Sequence, residues 1–271
     1  MNLFSDTSIV ASQRPILDLP VCDFGWADAL AFTDELASMA IGQTVISFLN
    51  ANNANLMMKD AEYRAVLSRQ VILPDGHGVD IASWLFHGRM FPANLNGTDF
   101  VPALLTYMAK PKRIALIGAS PSVLKGAVEN FQKHTPWHEF IPISDGYFDV
   151  AESDAIMARV RAAKPDILLV AMGSPKQEKW IDRHVGPGHA RLVISVGALF
   201  DFMAGEVPRA SETVRGMRLE WLHRLVHEPG RLWRRYIFGN PVFLYHILRH
   251  KLGGGAKQSR PTPRPAGSRF F

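Results

Sequence analysis

Six short segments carry the densest runs of Val, Ile and Leu: Thr44–Leu49, Val71–Leu73, Arg113–Ile117, Phe140–Ile143, Ile167–Met172 and Leu192–Val196. Most lack the strict alternation of a sheet with one wet face, so they are predicted as strands covered on both sides. Between them lie stretches with helical spacing: Ala54–Ser68, Asp99–Ala109, Pro121–Lys133, Glu152–Ala163 and Pro175–His184, with an earlier helix near Asp28–Ala40. This alternation implies an α/β fold, a mainly parallel Rossmann-like sheet with helices on both faces. Ser120-Pro121 and Ser174-Pro175 each place a serine N-cap before a proline at the first helical position. Ser174 with Gln177 also fits a capping box. Both serines follow strands that end in glycine, Gly118 and Gly173. In a parallel sheet such turns lie at the carboxyl ends of the strands, where open α/β proteins bind ligands.

After Arg209 the texture changes. Met217–Leu225 and Arg231–Phe238 interleave Leu, Trp, Tyr and Phe with Arg, which predicts two amphipathic helices around Pro229-Gly230. A third short helix is expected at Pro241–Lys251, and Gly253–Phe271 is Gly/Pro/Arg-rich and expected to be disordered. The expected division is therefore an α/β core over 1–214, a basic helical appendage over 215–252 and a tail over 253–271. Charge follows the same division. Residues 215–271 hold twelve Lys/Arg and two acidic residues, whereas the whole chain is only +5, so the preceding 214 residues are net acidic. Such displacement of positive charge points to a polyanionic partner, whether nucleic acid, an anionic membrane or a pyrophosphate-bearing lipid.

At 271 residues, 47% hydrophobic and 20% charged, the composition is that of a globular protein with a full core. Cys22 is the one cysteine, so no internal disulfide and no Cys-based zinc cluster can form, and a reducing cytosol fits best. It reads as a small apolar residue rather than a nucleophile. Met1–Pro20 has no basic start followed by an apolar run, so no export signal is expected there. The apolar stretch Tyr236–Leu248 is interrupted by Gly239-Asn240-Pro241 and falls short of the ~20 residues that a spanning helix needs.

Three strand-end turns carry candidate chemistry. Asp75, in Leu73-Pro74-Asp75-Gly76-His77-Gly78, follows a strand and precedes a helix. A carboxylate there can act as general base on a sugar hydroxyl, or simply cap the helix. Ser174-Pro175-Lys176-Gln177-Glu178 opens a helix whose free N–H groups suit a phosphate, with Lys176 as an added charge, or else forms a plain cap with a solvated lysine. Asp201, between two phenylalanines in the segment Gly197–Gly205, can bind a nucleobase or ribose, or serve as a structural cap. There is no G-x-G-x-x-G or G-x-x-x-x-G-K-[ST], no H-E-x-x-H, and no D-x-D to hold a divalent ion on a sugar diphosphate. The C-terminal arginines Arg215, Arg218, Arg224, Arg231, Arg234 and Arg235 alternate with Trp221, Trp233 and Tyr236. That pattern suits an interfacial helix on anionic lipid or an ordinary docked helix, and no nucleic-acid-binding motif accompanies it.

Taken in order, these segments resemble the WecG/TagA/CpsF family of bacterial glycosyltransferases over about Thr44–Leu248. The resemblance is carried by Phe48-Leu49-Asn50-Ala51, Leu73–Gly78, Gly97-Thr98-Asp99, Asp145-Gly146-Tyr147-Phe148, the run Pro165–Trp180, Gly197–Gly205 and Glu220-Trp221 through Asn240-Pro241. It implies inverting, metal-independent transfer, without a cofactor, from a UDP-sugar to a polyprenyl-diphosphate-linked saccharide in surface or exopolysaccharide biosynthesis. Asp75 matches the family's proposed base. Asn50, Gln177 and Asp201 match its donor pocket, with Thr98, Asp99, Gly173 and Lys176 in the same motifs. The six arginines match an appendage that touches lipid diphosphate or membrane at the inner face of the cytoplasmic membrane. Nucleic acid is not an expected partner, and a homo-oligomer is left open. Two positions depart from the pattern: Phe48 stands where a threonine is frequent, and Asn94 where an arginine is common. The alternative reading is a non-catalytic UDP-sugar-binding or scaffold protein of a polysaccharide assembly.

Overall fold

A computed structural model describes residues 12–207, 225–226, 230 and 233–253, apart from the Tyr236 side chain. A two-stranded antiparallel hairpin, β1 (Gln13–Ile16) and β2 (Leu19–Cys22), comes first and leads into α1 (Trp26–Ser38). Then follow β3 (Thr44–Leu49), α2 (Ala51–Lys59), α3 (Ala61–Leu67), β4 (Val71–Pro74), α4 (His77–His87) and α5 (Gly97–Tyr107). The second half runs β5 (Arg113–Gly118), α6 (Pro121–His134), β6 (Glu139–Ser144), α7 (Ser153–Ala163), β7 (Ile167–Ala171), α8 (Lys176–His184), β8 (Leu192–Ser195) and α9 (Leu199–Ala204). A π-helical turn at Arg234–Phe238 leads into α10 (Gly239–Leu252).

Strands β3 to β8 form one six-stranded sheet, every pair parallel, in the order β4-β3-β8-β7-β5-β6. The α/β class and all six predicted strands are thus present, each within about a residue of its expected bounds. One sheet face packs on α1, α5, α6 and α9 through residues such as Phe100, Leu104, Phe131 and Phe200. The other packs on α7 and α8 through Ile156, Val160, Trp180 and Ile181. A third apolar cluster joins the hairpin to α2, α3 and α4, and Phe243 and Ile247 of α10 are buried within it. Cys22 is buried, and desolvation pushes its thiol up to about 11, in keeping with a packing role.

Three expectations change. The predicted helix Ala54–Ser68 is two helices, because Asp60 is at once the C-cap of α2 and the N-cap of α3, its carboxylate accepting the Tyr63 N–H at 2.9 Å. Lys179 of α8 holds that aspartate at 2.7 Å. The hairpin was not anticipated: its turn residues Leu17 and Asp18 both have positive φ, a conformation usually signalled by Asn or Gly. The capping box at Ser174 is absent. Helix α8 starts at Lys176 with Pro175 as N-cap, and the Ser174 hydroxyl instead donates to Glu178 Oε1 at 2.7 Å. Ser120 does cap α6, accepting from the Val123 N–H, with Pro121 at the first position.

The hairpin is fastened to the rest by Arg14. Its buried guanidinium pairs with Asp23 and donates to Ser83 Oγ at 3.0 Å and to the carbonyls of Arg89 and Met90 at 3.0 and 2.7 Å. Five donors in a fixed plane let one arginine bind α4 and the loop beyond it together.

Candidate active site

All six parallel strands deliver their carboxyl-terminal turns to one cleft of about 1480 Å³. Small-molecule sites usually occupy ~300–1,000 Å³, so this cleft has room for two substrates side by side. Close approach at its floor demands glycine: a Cβ on Gly118, at φ +132°, would lie 2.2 Å from the Ala171 carbonyl oxygen.

Asp75 stands at the end of β4. Its N–H donates to the Leu49 carbonyl at 2.9 Å, extending the β3–β4 pairing one step beyond the strands. Gly76, at φ +89°, then turns the chain into α4 and is itself the N-cap, so the Asp75 carboxylate is not a helix cap. That carboxylate is half-buried on the cleft wall, and its Oδ2 accepts from Asn50 Nδ2 at 2.9 Å. Asn50 is fixed in turn, because its Oδ1 accepts the Asn53 N–H at 3.0 Å as N-cap of α2. The two departures from the family pattern have structural roles here. Asn94 Oδ1 accepts the Gly76 N–H at 2.8 Å and so locks the turn beside Asp75. The Phe48 ring lies against Gly97, where an added Cβ would sit 3.0 Å away.

The turn after β7 is built differently. Gln177 is buried, and its Oε1 accepts the N–H groups of Gly173 and Gly197, each at 3.2 Å. Its Nε2 donates to Glu178 Oε1 at 2.9 Å, so the amide cross-links the turns after β7 and β8. Glu178, 1% exposed, also accepts from Ser174, while its Oε2 has no hydrogen-bond partner. Burial pushes this carboxyl above the usual carboxylate range. Glu178 was not among the residues singled out from sequence, since nothing in Lys-Gln-Glu distinguishes an inward glutamate from an exposed one.

The other expected residues are divided. Gly173, Lys176, Thr98 and Asp201 line the cleft with Asp75, Asn50 and Gln177. Lys176 Nζ donates to the Gly146 carbonyl at 3.0 Å and lies 5.7 Å over the Phe148 ring. Thr98 donates to Asn96 Oδ1 at 2.7 Å. Asp99 does not line the cleft and instead accepts from Asn96 Nδ2 at 2.8 Å in the first turn of α5. Arg235 lines the cleft, whereas Arg234 stacks over Trp233 at 5.3 Å and does not. Arg215, Arg218, Arg224 and Arg231 lie outside the described residues.

Residues 14–257 match the family model described as glycosyl transferase WecG/TagA/CpsF family. The chain belongs to that family. Two similar relatives are both named N-acetylglucosaminyldiphosphoundecaprenol N-acetyl-beta-D-mannosaminyltransferase. The one from Bacillus subtilis (strain 168) is 36% identical over 228 residues, covering 82% of this chain and 86% of the relative. The one from Bacillus spizizenii (strain ATCC 23059 / NRRL B-14472 / W23) is 31% identical over 245 residues, covering 88% and 91%. The protein is thus a glycosyltransferase, and the cleft just described spans the motifs by which it resembles its family. Among the described residues no helix is long and apolar enough to cross a membrane. Nor, among them, do three or more His, Cys, Asp or Glu side chains come together as a metal-holding group.

Proposed function

We propose that this glycosyltransferase moves an N-acetylhexosamine from a UDP-sugar to a saccharide carried on polyprenyl diphosphate, with inversion at the anomeric carbon. The observation that carries the reading is Asp75: a half-buried carboxylate, free of any capping role, aimed by Asn50 into a cleft large enough for donor and acceptor together. Asp75 takes the proton of the acceptor hydroxyl as that oxygen attacks the anomeric carbon. The bond from that carbon to the diphosphate breaks, and UDP departs with the bonding pair. Lys176 and Arg235, both on the cleft wall, supply positive charge toward the departing diphosphate. The sugar and acceptor classes follow the two relatives, whose names specify an N-acetylmannosaminyl group and a diphosphoundecaprenol acceptor.

The test is a donor screen read by UDP release, with N-acetylglucosaminyl-diphosphoprenol as acceptor. Turnover with a UDP-N-acetylhexosamine is expected. UDP binding without release under any donor would overturn the assignment. The surplus of basic residues over 215–271 extends the reading to a peripheral place on the inner face of the cytoplasmic membrane, in assembly of a surface polysaccharide. Co-sedimentation with anionic liposomes should weaken as salt rises, and salt-insensitive binding would count against it.

A further inference from the structure

The polar turns account for one wall of the cleft. Another part of the lining comes from α4 and α10, two helices that run side by side in the same direction, and past His77, Asp80 and Asn240 near their starts it is apolar. Near their starts the Phe243 ring of α10 lies against Gly78 of α4, where an added Cβ would be 3.5 Å from Cε1. Near their ends His250 meets Phe86 edge to face with centroids 5.5 Å apart, and Lys251 Nζ donates to the Leu85 carbonyl at 2.7 Å. Contact at both ends fixes the helices as parallel. Between those contacts Ile81 and Leu85 of α4 face the cleft together with Leu244 and Ile247 of α10. Their spacing of three and four residues sets each pair on one stripe of its helix.

This apolar stripe is not closed. Ile81 and Leu244 are 38% and 43% exposed, and Trp84 and Leu248, three and four residues further along the same helices and outside the cleft lining, are exposed apolar side chains as well. Helix α10 has 14 residues and so extends ~20 Å from the polar end of the cleft. His77, two residues from Asp75, opens α4, so the trough starts beside the proposed base and leads away from it. Its far end carries Arg249 and Lys251 in the last turn of α10, with His250 between them 3.4 Å from Asp18.

We infer that the trough between α4 and α10 holds the isoprenoid chain of the acceptor, with its saccharide end at Asp75 and its tail leaving past Trp84 and Leu248. The assignment rests on the lipid-linked acceptor proposed above, and it adds a core helix to the lipid-handling surface. Continuity of one cleft from a carboxylate to an exposed apolar stripe fits a ligand that is itself polar at one end and hydrocarbon at the other. The basic end then lies where the chain returns to an anionic bilayer.

Binding can be measured apart from transfer. Titration calorimetry with geranylgeranyl diphosphate and with inorganic pyrophosphate should show the wild-type protein binding the prenyl ligand at least tenfold more tightly. In Ile81→Gln/Leu244→Gln that preference should vanish while UDP affinity stays unchanged. Ile81→Ala/Leu244→Ala, held to the same UDP control, gives the answer if the glutamines disturb the fold. Equal wild-type affinity for the two ligands would overturn the assignment. So would a prenyl preference that survives in the variants, even if their binding to plain phosphatidylglycerol vesicles were lost, since the stripe would then be a bilayer contact. If the donor screen shows no transfer but the prenyl preference holds and is lost in the variants, the transfer reading falls and the trough stands.

Discussion

Asp75 and Glu178 both follow strand ends of the same parallel sheet, yet their surroundings are opposite. Asp75 is half-buried, receives one hydrogen bond from Asn50 and faces the cleft. Glu178 is turned inward, receives Ser174 and Gln177 on one oxygen and leaves the other without a partner. A carboxylate with access to water and substrate remains available for proton transfer. A desolvated one resists ionisation and instead organises the groups around it. The difference lies in which way the turn directs the side chain, and the two carboxylates should fail in different ways when altered.

The largest expected effect is at Asp75. Asp75→Asn keeps size and shape but cannot take a proton, so kcat should drop ~10²–10⁴-fold with UDP affinity nearly unchanged. Near-normal turnover in steady-state assays would remove Asp75 from the mechanism. Gln177→Ala strikes the other side of the comparison. Two glycine N–H groups and the Glu178 carboxylate lose their shared partner, and stability should fall by ~1–3 kcal/mol in urea unfolding. A loss of activity with unchanged stability would mean that Gln177 acts on substrate rather than as a cross-link. Asn50→Ser retains a cap for α2 but removes the donor to Asp75. We expect kcat to fall ~10-fold, about 1.4 kcal/mol of barrier, with donor KM little changed. A change confined to KM would place Asn50 on the donor instead.

The smallest effect is a pH dependence. The Glu178 pKa is raised in the folded protein above its ordinary 4.5, chiefly by burial. Its neutral form is thus favoured by folding, and that stability is fully present below about pH 4.5 and lost as pH rises through the folded value. Glu178→Gln, which stays neutral throughout, should flatten the decline of Tm as pH rises above about 4.5. Parallel wild-type and variant profiles in calorimetry would show that Glu178 does not titrate in this way.

Much of the sheet was legible because a strand buried on both faces must be apolar along its whole length, as Ile167–Ala171 is. The position of Asp75 was legible too, since a Pro-Asp-Gly turn after such a strand has few other places to go. Its capping role was not decidable from sequence: whether Asp75 or Gly76 ends the turn depends on a positive φ that either residue could adopt at different cost. The inward direction of Gln177 and Glu178 was hidden for a related reason. Gln177 reads from sequence as half of a capping box or, by resemblance, as a donor-pocket residue, and its role with Glu178 emerges only where the turns after β7 and β8 meet across them. The apolar wall was hidden by distance, because Ile81 and Leu244 are brought onto one surface only when α10 packs back on α4.

Arg14 gives the hairpin a reach well beyond its own strands. It grips the carbonyls of Arg89 and Met90, and four residues after Met90 comes Asn94, which holds the Gly76 N–H next to Asp75. The alignment of the proposed base is therefore the last link of a mechanical chain that begins at the first described strand. The sheet itself does not pass through that chain. Loss of the Arg14 grip would strand the buried Asp23 carboxylate and at the same time loosen the loop that carries Asn94, so damage to the first described strand would be felt as lost stability and lost turnover together.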